Sequence, residues 1–447
     1  MRRALWRAFF MTQRENAIEI LKRLQKAGHE AYFVGGCVRD ELRGVNPQDY
    51  DIATSAHPDE VEALFAKTAG VGKSFGVILV LQDGWQFEVA TFRTEAEYQD
   101  GRRPTKVQFS DAKTDASRRD FTVNGLFLDP MTDTVHDWTG GQSDLGQRVV
   151  RTIGHPAERF AEDHLRLLRA IRFATQLDYE IEPATFAAVR DHAYQIGNVS
   201  AERVRDELCK LFSPPHAARG LDLLLESGLL EYVLPEMVAT IDCTQSPEFH
   251  PEGSVFNHIR LMLSLMPNDS PPQLPWTILL HDIAKPVTRS VEKDGTIHFY
   301  GHEKIGSEMA GQILKRLRFL NRDIEAIVQT IYYHMQFKDA EKMRKATLRR
   351  MLLRPNFDLE LEQHRLDCLG SHGQLDIHHF LCEQRTLFEQ QPLLLTPLVN
   401  GKDLLDLGIE SGPVLGQLLE EIMDKQLSEE FSSREDVLAW VKEKTAL

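Results

Sequence analysis

The run FVGGCVRDELRGVNPQDYDIATSA, Phe33 to Ala56, sets two adjacent glycines, an arginine and two aspartates flanking one tyrosine close together. In an extended segment alternate side chains face the same way, so Asp49 and Asp51 share a face and Tyr50 points away from it. Two neighbouring carboxylates suit Mg2+, which takes oxygen ligands and completes its shell with water and substrate phosphates. Glu88, in the strand-like WQFEVATF, is the candidate third carboxylate, presented by an adjacent strand of the same sheet. Upstream, Gly35 and Gly36 carry no side chain to keep backbone N–H groups from a phosphate, and Arg39 adds a charge-assisted donor. An acidic pair or a glycine pair alone is common; their joint occurrence in one segment is far more specific.

These residues must be held by a mixed α and β region. A helix is expected from about Asn16 to Ala27, then a short strand in AYFV that ends in the glycines. GVILVLQDGWQFEVATF, Gly76 to Phe92, reads as a hairpin turning at Asp83-Gly84. Beyond GQRVVRTIGHPAERF the pattern becomes amphipathic helix with hardly any strand signal except GTIHFY, from Gly295, so a domain boundary is expected near Val150. MPNDSPPQLP, Met266 to Pro275, and QQPLLLTPLVNGKD, from Gln390, read as connectors, and no internal repeat is present. The expected division is 12–150, 151–245, 246–390 and 391–447.

Composition narrows the class. The chain has 447 residues, 42% hydrophobic and 27% charged, enough for roughly two to four ordinary globular domains. Its five cysteines form no CxxC pair, so neither a zinc ribbon nor a disulfide framework is indicated, and a reducing cytoplasm is expected. The opening MRRALWRAFFMTQREN is too short and too interrupted by Arg7 for a signal-peptide core, and both Met1 and Met11 are candidate starts. Net charge is -15, so a polyanionic partner must be met by local basic patches. Two such clusters stand out: Arg148, Arg151, Arg159, Arg166, Arg169 and Arg172, and Lys342, Arg344, Lys345, Arg349, Arg350 and Arg354.

Five ordered motifs, FVGGCVRD, DYDIATSA, RRDFTVNGLFLDP, DWTGGQSDLGQRVVRTIG and RFAEDHLRLLRAIRFA, resemble the tRNA nucleotidyltransferase and poly(A) polymerase family of the polymerase-β-like superfamily, from about Phe33 to Lys210. The resemblance implies an α+β fold, with a small polymerase-β-like nucleotidyltransferase sheet domain followed by a mostly helical body. It implies that Asp49 and Asp51 hold two Mg2+ ions serving the 3′-hydroxyl of an RNA and the departing pyrophosphate. Arg118, Arg119 and Asp120 fall where the family contacts the incoming nucleotide, and Asn124 where it reads the ribose.

The family selects the base through a helix carrying E-D-x-x-R, here Glu162, Asp163 and Arg166. Asp163 and Arg166 are three apart and are expected as neighbours on one helix face that Arg169 continues, whereas Arg172, nine residues after Asp163, is expected at about the opposite side and is retained for phosphates by the family pattern. The implied partners are the tRNA 3′ end, CTP and ATP. YQDGRRPTKVQF, after EVATFRTE, resembles the flexible loop of CCA-adding members; addition of a terminal A alone and poly(A) synthesis stay open as alternatives.

In the helical half, His258, His281, Asp282, His302, His334 and Asp367 resemble the ordered ligands of an HD-type metal phosphohydrolase. Such mixed nitrogen and oxygen donors suit a transition metal or Mg2+. HPEGSVFNH, His250 to His258, fits the arrangement of nucleotidyltransferases that carry an HD domain after the polymerase half, with hydrolysis of phosphate or 2′,3′-cyclic phosphate ends as the implied activity.

Overall fold

The computed structural model describes residues 11–99, 103–248, 250–390 and 396–445. By contacts they form two compact units: the first ends at Phe212 and takes back Arg219–Pro235, and the second holds Ser213–Ala218 and the chain from Glu236 onward.

The first unit is built on a seven-stranded mixed sheet. Its strands are β1 (Ala31–Val34), β2 (Asp51–Thr54), β3 (Thr68–Gly72), β4 (Val77–Gln82), β5 (Trp85–Thr91), β8 (Phe127–Asp129) and β9 (Thr134–His136), in the order β3-β4-β5-β2-β1-β8-β9. The helix Gln13–Lys26 begins at a reciprocal capping box between Thr12 and Glu15, and it buries Ala17, Ile20, Leu21 and Leu24 in the same core as Phe33, Ile52, Ile78 and Val89. β4 and β5 form the expected hairpin. Asp83 and Gly84 both have positive φ, 49° and 84°, as a tight turn matched to strand twist requires.

Register then decides what stands at the sheet's end. β1 and β2 run antiparallel with Val34 opposite Asp51, while β2 and β5 run parallel with Ile52 opposite Val89. Gly35 and Asp51 therefore come to the same end of β1 and β2, and Glu88, midway along β5, stands level with Asp51. Two further strands, β6 (Arg93–Gln99) and β7 (Arg103–Phe109), pair antiparallel beside this sheet, and the tip of the loop-like YQDGRRPTKVQF, 100–102, lies outside the described residues. So do 391–395 of the second connector and the first ten residues, Met1 among them.

Among the described residues, the second unit's regular structure is helical apart from a hairpin of Arg289–Val291 with Ile297–Phe299, of which only the second strand was signalled by GTIHFY. The connector expected over Met266–Pro275 ends at Gln273. Leu274 and Pro275 already belong to the helix Leu274–Leu280, because a proline in the first turn gives up an N–H that has no intrahelical partner anyway. Among the described residues, no helix is long and apolar enough to cross a membrane.

Candidate active site

A cavity of about 520 Å³ in the first unit is lined by Gly35, Gly36, Arg39, Asp49, Asp51, Arg118, Arg119, Asp120, Asn124, Asp163, Arg166, Arg169, Arg172 and Phe173. Tyr50 is buried with Phe33, their rings 5.1 Å apart, so the alternation turns Asp49 and Asp51 the other way. Glu88 is not among the lining residues, but its charge reaches Asp51 from β5. Burial, then repulsion from Asp49 and Glu88, pushes the Asp51 carboxyl up to about 7 against the pull of Arg119. Three mutually repelling carboxyl groups of which one is desolvated are a donor set that a hard cation relieves, and the all-oxygen set fits Mg2+.

Gly35 has φ 72°, a left-handed conformation, and a Cβ there would come within 3.2 Å of Arg119 Nη1. Glycine thus lets the turn after β1 form and lets the arginine close over it.

The opposite wall is a chain of acids and bases. Arg39 donates from Nη1 to Asn124 Oδ1 at 2.8 Å and is held by Asp40 at 2.9 Å. Asn124 Nδ2 donates to Asp120 Oδ1 at 3.1 Å, and Arg169 Nε donates to Asp120 Oδ2 at 2.8 Å. Glu207, from the helix Ala201–Leu211, approaches Arg169 at 3.5 Å and pairs with Arg172. Arg118 and Arg119 share Asp115, at 2.7 and 3.2 Å. Burial pushes the Asp120 carboxyl up, but the Arg169 guanidinium and the hydrogen bonds from Arg169 and Asn124 hold it well below the usual carboxylate range.

Two expectations need correction. Glu162 ends the helix Pro156–Glu162, Asp163 is extended at φ -141° and ψ 106°, and a new helix, Leu165–Leu177, follows. Asp163 and Arg166 therefore do not share a helix face. Asp163 breaks the helix because its Oδ1 accepts from Leu165 N at 3.1 Å, a local bond that competes with helical continuation, while its Oδ2 accepts from Arg203 at 2.8 Å. Nor does Arg172 lie opposite. Rotation counted from Asp163 across the break has no meaning, and Arg172, three residues after Arg169 on one helix, lines the same cavity.

Sequence reasoning missed Asp115, Glu207 and Phe173. The Phe173 ring has the guanidinium carbons of Arg172, Arg169 and Arg39 at 3.9, 5.1 and 5.5 Å. The second basic cluster is largely neutralised, with Arg349 on Glu429, Arg350 on Asp424 and Arg354 on Glu360.

The second unit brings the six HD-type residues together beside a cavity of about 390 Å³. Five helices deliver them: His258 from Val255–Ser264, His302 from the first turn of His302–Arg316, Asp367 from Phe357–Gly370, His281 and Asp282 just after Leu274–Leu280, and His334 just after Asn321–Tyr333. The Nδ1 atoms of His281, His302 and His334 lie 2.8, 2.7 and 2.6 Å from the carbonyl oxygens of Ile278, Phe299 and Ile331. A carbonyl only accepts, so each Nδ1 carries the proton and each Nε2 presents a lone pair inward.

The Nε2 atoms of His302 and His334 face each other at 3.2 Å, and Asp282 Oδ1 is 3.4 Å from the first and 4.0 Å from the second. His258 Nε2 lies 3.1 Å from Asp367 Oδ1. Both nitrogens of His258, the His281 Nε2 and both oxygens of Asp282 are buried without a partner in hydrogen-bond geometry, although Lys285 Nζ forms an ion pair with Asp282 Oδ2 at 2.7 Å. Facing lone pairs need a shared cation, and this donor set fits a metal ion. Glu252, which sequence reasoning missed, sits 2.8 Å from the Nδ1 atoms of both His250 and His258; only its place in HPEGSVFNH could have flagged it.

Models of the poly A polymerase head domain, the probable RNA and SrmB-binding site of polymerase A, and the HD domain match residues 31–151, 178–240 and 256–362. The CCA-adding enzyme of Streptococcus thermophilus is 32% identical over 445 residues, covering 97% of this chain and 98% of that protein. The CCA-adding enzyme of Streptococcus mutans is 43% identical over 229 residues, 51% of this chain, and that match spans little more than half of the relative, 57%. The crystal structure of the Bacillus stearothermophilus CCA-adding enzyme in complex with CTP superposes with a TM-score of 0.73 at 26% identity, covering 98% of each chain.

Proposed function

This chain belongs to the CCA-adding enzyme family, and from that premise we propose that it adds C, C and A to tRNA 3′ ends, without a template, from CTP and ATP. The observation that carries the reading is the single cavity joining the Asp49–Asp51 pair to an arginine-lined wall, in a chain that aligns end to end with a CCA-adding enzyme. In each addition the RNA 3′-oxygen bonds to the α-phosphorus of the nucleotide, and the bond to pyrophosphate breaks.

Asp49 and Asp51, supported by Glu88, would hold Mg2+, which when bound supplies positive charge for the transferring phosphoryl group. Arg39, Arg118 and Arg119 meet the triphosphate with donors already oriented by Asp40 and Asp115. Asn124 faces the ribose, and Asp163 with Arg166 meets the base edge across the helix break. A tRNA substrate would put the enzyme in the cytoplasm.

The test offers the purified protein with Mg2+ tRNAs ending before CCA and after CC, with CTP and ATP separately and together. The expected result is C, C and A on the shorter tRNA, and none with Asp49→Ala and Asp51→Ala combined. A added only after CC, or long A tails, would replace the reading by the specialist or the poly(A) one; addition retained by the double variant would overturn it.

The histidine cluster favours a second activity in the other unit, hydrolysis of a phosphate ester. Water adds to phosphorus, the ester oxygen leaves as an alcohol that takes up a proton, and the buried, outward-closed Nε2 and carboxylate set would hold the metal this chemistry uses.

A further inference from the structure

One wall of the second unit's cavity is not accounted for by phosphate chemistry. Beside the cluster, the antiparallel strands Arg289–Val291 and Ile297–Phe299 form a hairpin, and Ile297 to Tyr300 line the cavity. The rings of His298 and Tyr300 stack with centroids 4.9 Å apart and planes 13° from parallel. Tyr300 is 72% exposed, so the face turned away from His298 is bare. A large ring left this open adds little to folding, and its place in the chain is tied to the cluster. Gly301 follows in the left-handed region at φ 75°, and His302 of the ligand cluster follows that, opening the helix His302–Arg316.

The platform is thus two residues from a cluster imidazole, on the rim of a cavity whose volume of about 390 Å³ falls in the roughly 300–1,000 Å³ usual for small-molecule sites. Lys338 lines the same cavity and supplies a cation for a phosphate. A flat aromatic face beside a phosphate-handling cluster matches one class of ligand, in which a flat ring system and a phosphate are held a sugar apart.

Resting on the hydrolase reading, we infer that the His298–Tyr300 pair stacks a nucleobase and that the second unit's substrate is a nucleoside phosphate, free or at the end of an RNA strand. A phosphate carried by a bare sugar or a protein side chain would leave the platform unused. Stacking on such a face strengthens binding by on the order of tenfold per base.

The test is calorimetric titration of the full chain, with chelator present so that nothing is hydrolysed, using 3′-AMP, ribose 5-phosphate and a short RNA ending in a 3′-phosphate. Tyr300→Ala is expected to weaken 3′-AMP about tenfold and to leave ribose 5-phosphate unchanged, and Tyr300→Phe to restore the affinity. Binding of 3′-AMP in the first unit is common to all three proteins and drops out of the difference. Loss for both 3′-AMP and the RNA supports either source of the nucleotide; loss for the RNA alone assigns the platform to RNA ends. No change with Tyr300→Ala, or an equal change for ribose 5-phosphate, overturns the inference. Phosphate release is then measured separately with Mn2+ or Mg2+. Tyr300-dependent binding without release leaves the platform standing and removes the hydrolase reading, whereas release that ignores the base does the reverse.

Discussion

The cavities of the two units treat their charged atoms in opposite ways. In the first, the arginines are already occupied: Arg39 by Asp40 and Asn124, Arg118 and Arg119 by Asp115, Arg169 by Asp120 and Arg172 by Glu207. In the second, lone pairs of like character point at one another, with His302 and His334 nitrogens 3.2 Å apart and Asp282 Oδ1 turned toward both, while Lys285 Nζ reaches only Asp282 Oδ2, at 2.7 Å. The first wall is therefore completed by folding alone and stands ready for a polyanion. The second is complete only when a cation arrives, so its stability is tied to that cation by mass action.

The largest effect is expected where folding does the positioning. Asp120 is the hub of the first wall, accepting from Phe121 N at 2.8 Å as well as from Asn124 and Arg169. Asp120→Ala leaves the Arg169 guanidinium short of its main partner and is expected to cost about 3–5 kcal/mol. Hydrogen exchange at the amides of β1 and β2 would read this loss in the first unit, and unchanged protection would show that the wall is not held by Asp120. The pH dependence has a definite sign. A carboxyl depressed in the folded state gives stability that is present above its unfolded pKa of about 3.9 and is lost as pH falls toward the folded value. Asp120→Asn is accordingly expected to lose less stability than the parent protein on acidification below about pH 4.

The second unit should respond to metal instead. With Mn2+ at a hundredfold its dissociation constant, stabilisation of about 2.7 kcal/mol is expected. Exchange protection in the helices Val255–Ser264 and Phe357–Gly370 would rise accordingly and fall again with chelator. Asp282→Ala removes the carboxylate shared by two of the candidate donor groups and is expected to abolish the response. A parent protein indifferent to Mn2+, Mg2+ and Zn2+ would break the comparison at its second half.

How much of this was legible in the sequence follows the same division between local and distant partners. Strand alternation across Asp49, Tyr50 and Asp51 is a local rule, and it put Tyr50 in the core and the acids on the other side. The Asp83-Gly84 turn and the ordered histidines were local or motif-borne as well. Asp163 was misjudged because a continuous helix is the default over RFAEDHLRLLRAIRFA; the competing bond to Leu165 N is local, but the bond to Arg203 that joins it appears only once Ala201–Leu211 has docked. Glu207 lies 35 residues from Arg172 and Glu252 lies in an irregular segment, so neither has a spacing that marks it as a partner.

Glu252 gives the finest probe of the second cavity. Its Oε1 stands 2.8 Å from Nδ1 of His258 and 2.8 Å from Nδ1 of His250, so one carboxylate lies behind a cluster imidazole and places its charge there. Burial pushes the His258 imidazolium down, but Asp367 and Glu252 outweigh it and raise the ring to about 9, which shows how strongly the acids around it call for positive charge. Glu252→Gln keeps the shape and an accepting oxygen while removing that charge. It is expected to weaken metal binding about 10- to 100-fold, as loss of a carboxylate behind a ligating histidine does, with nucleotide addition by the first unit unchanged. Metal titration followed by exchange protection would measure it. If affinity holds, His258 is oriented by its helix alone, and the second cavity shares more of the first one's fold-determined order than the contrast between them allows.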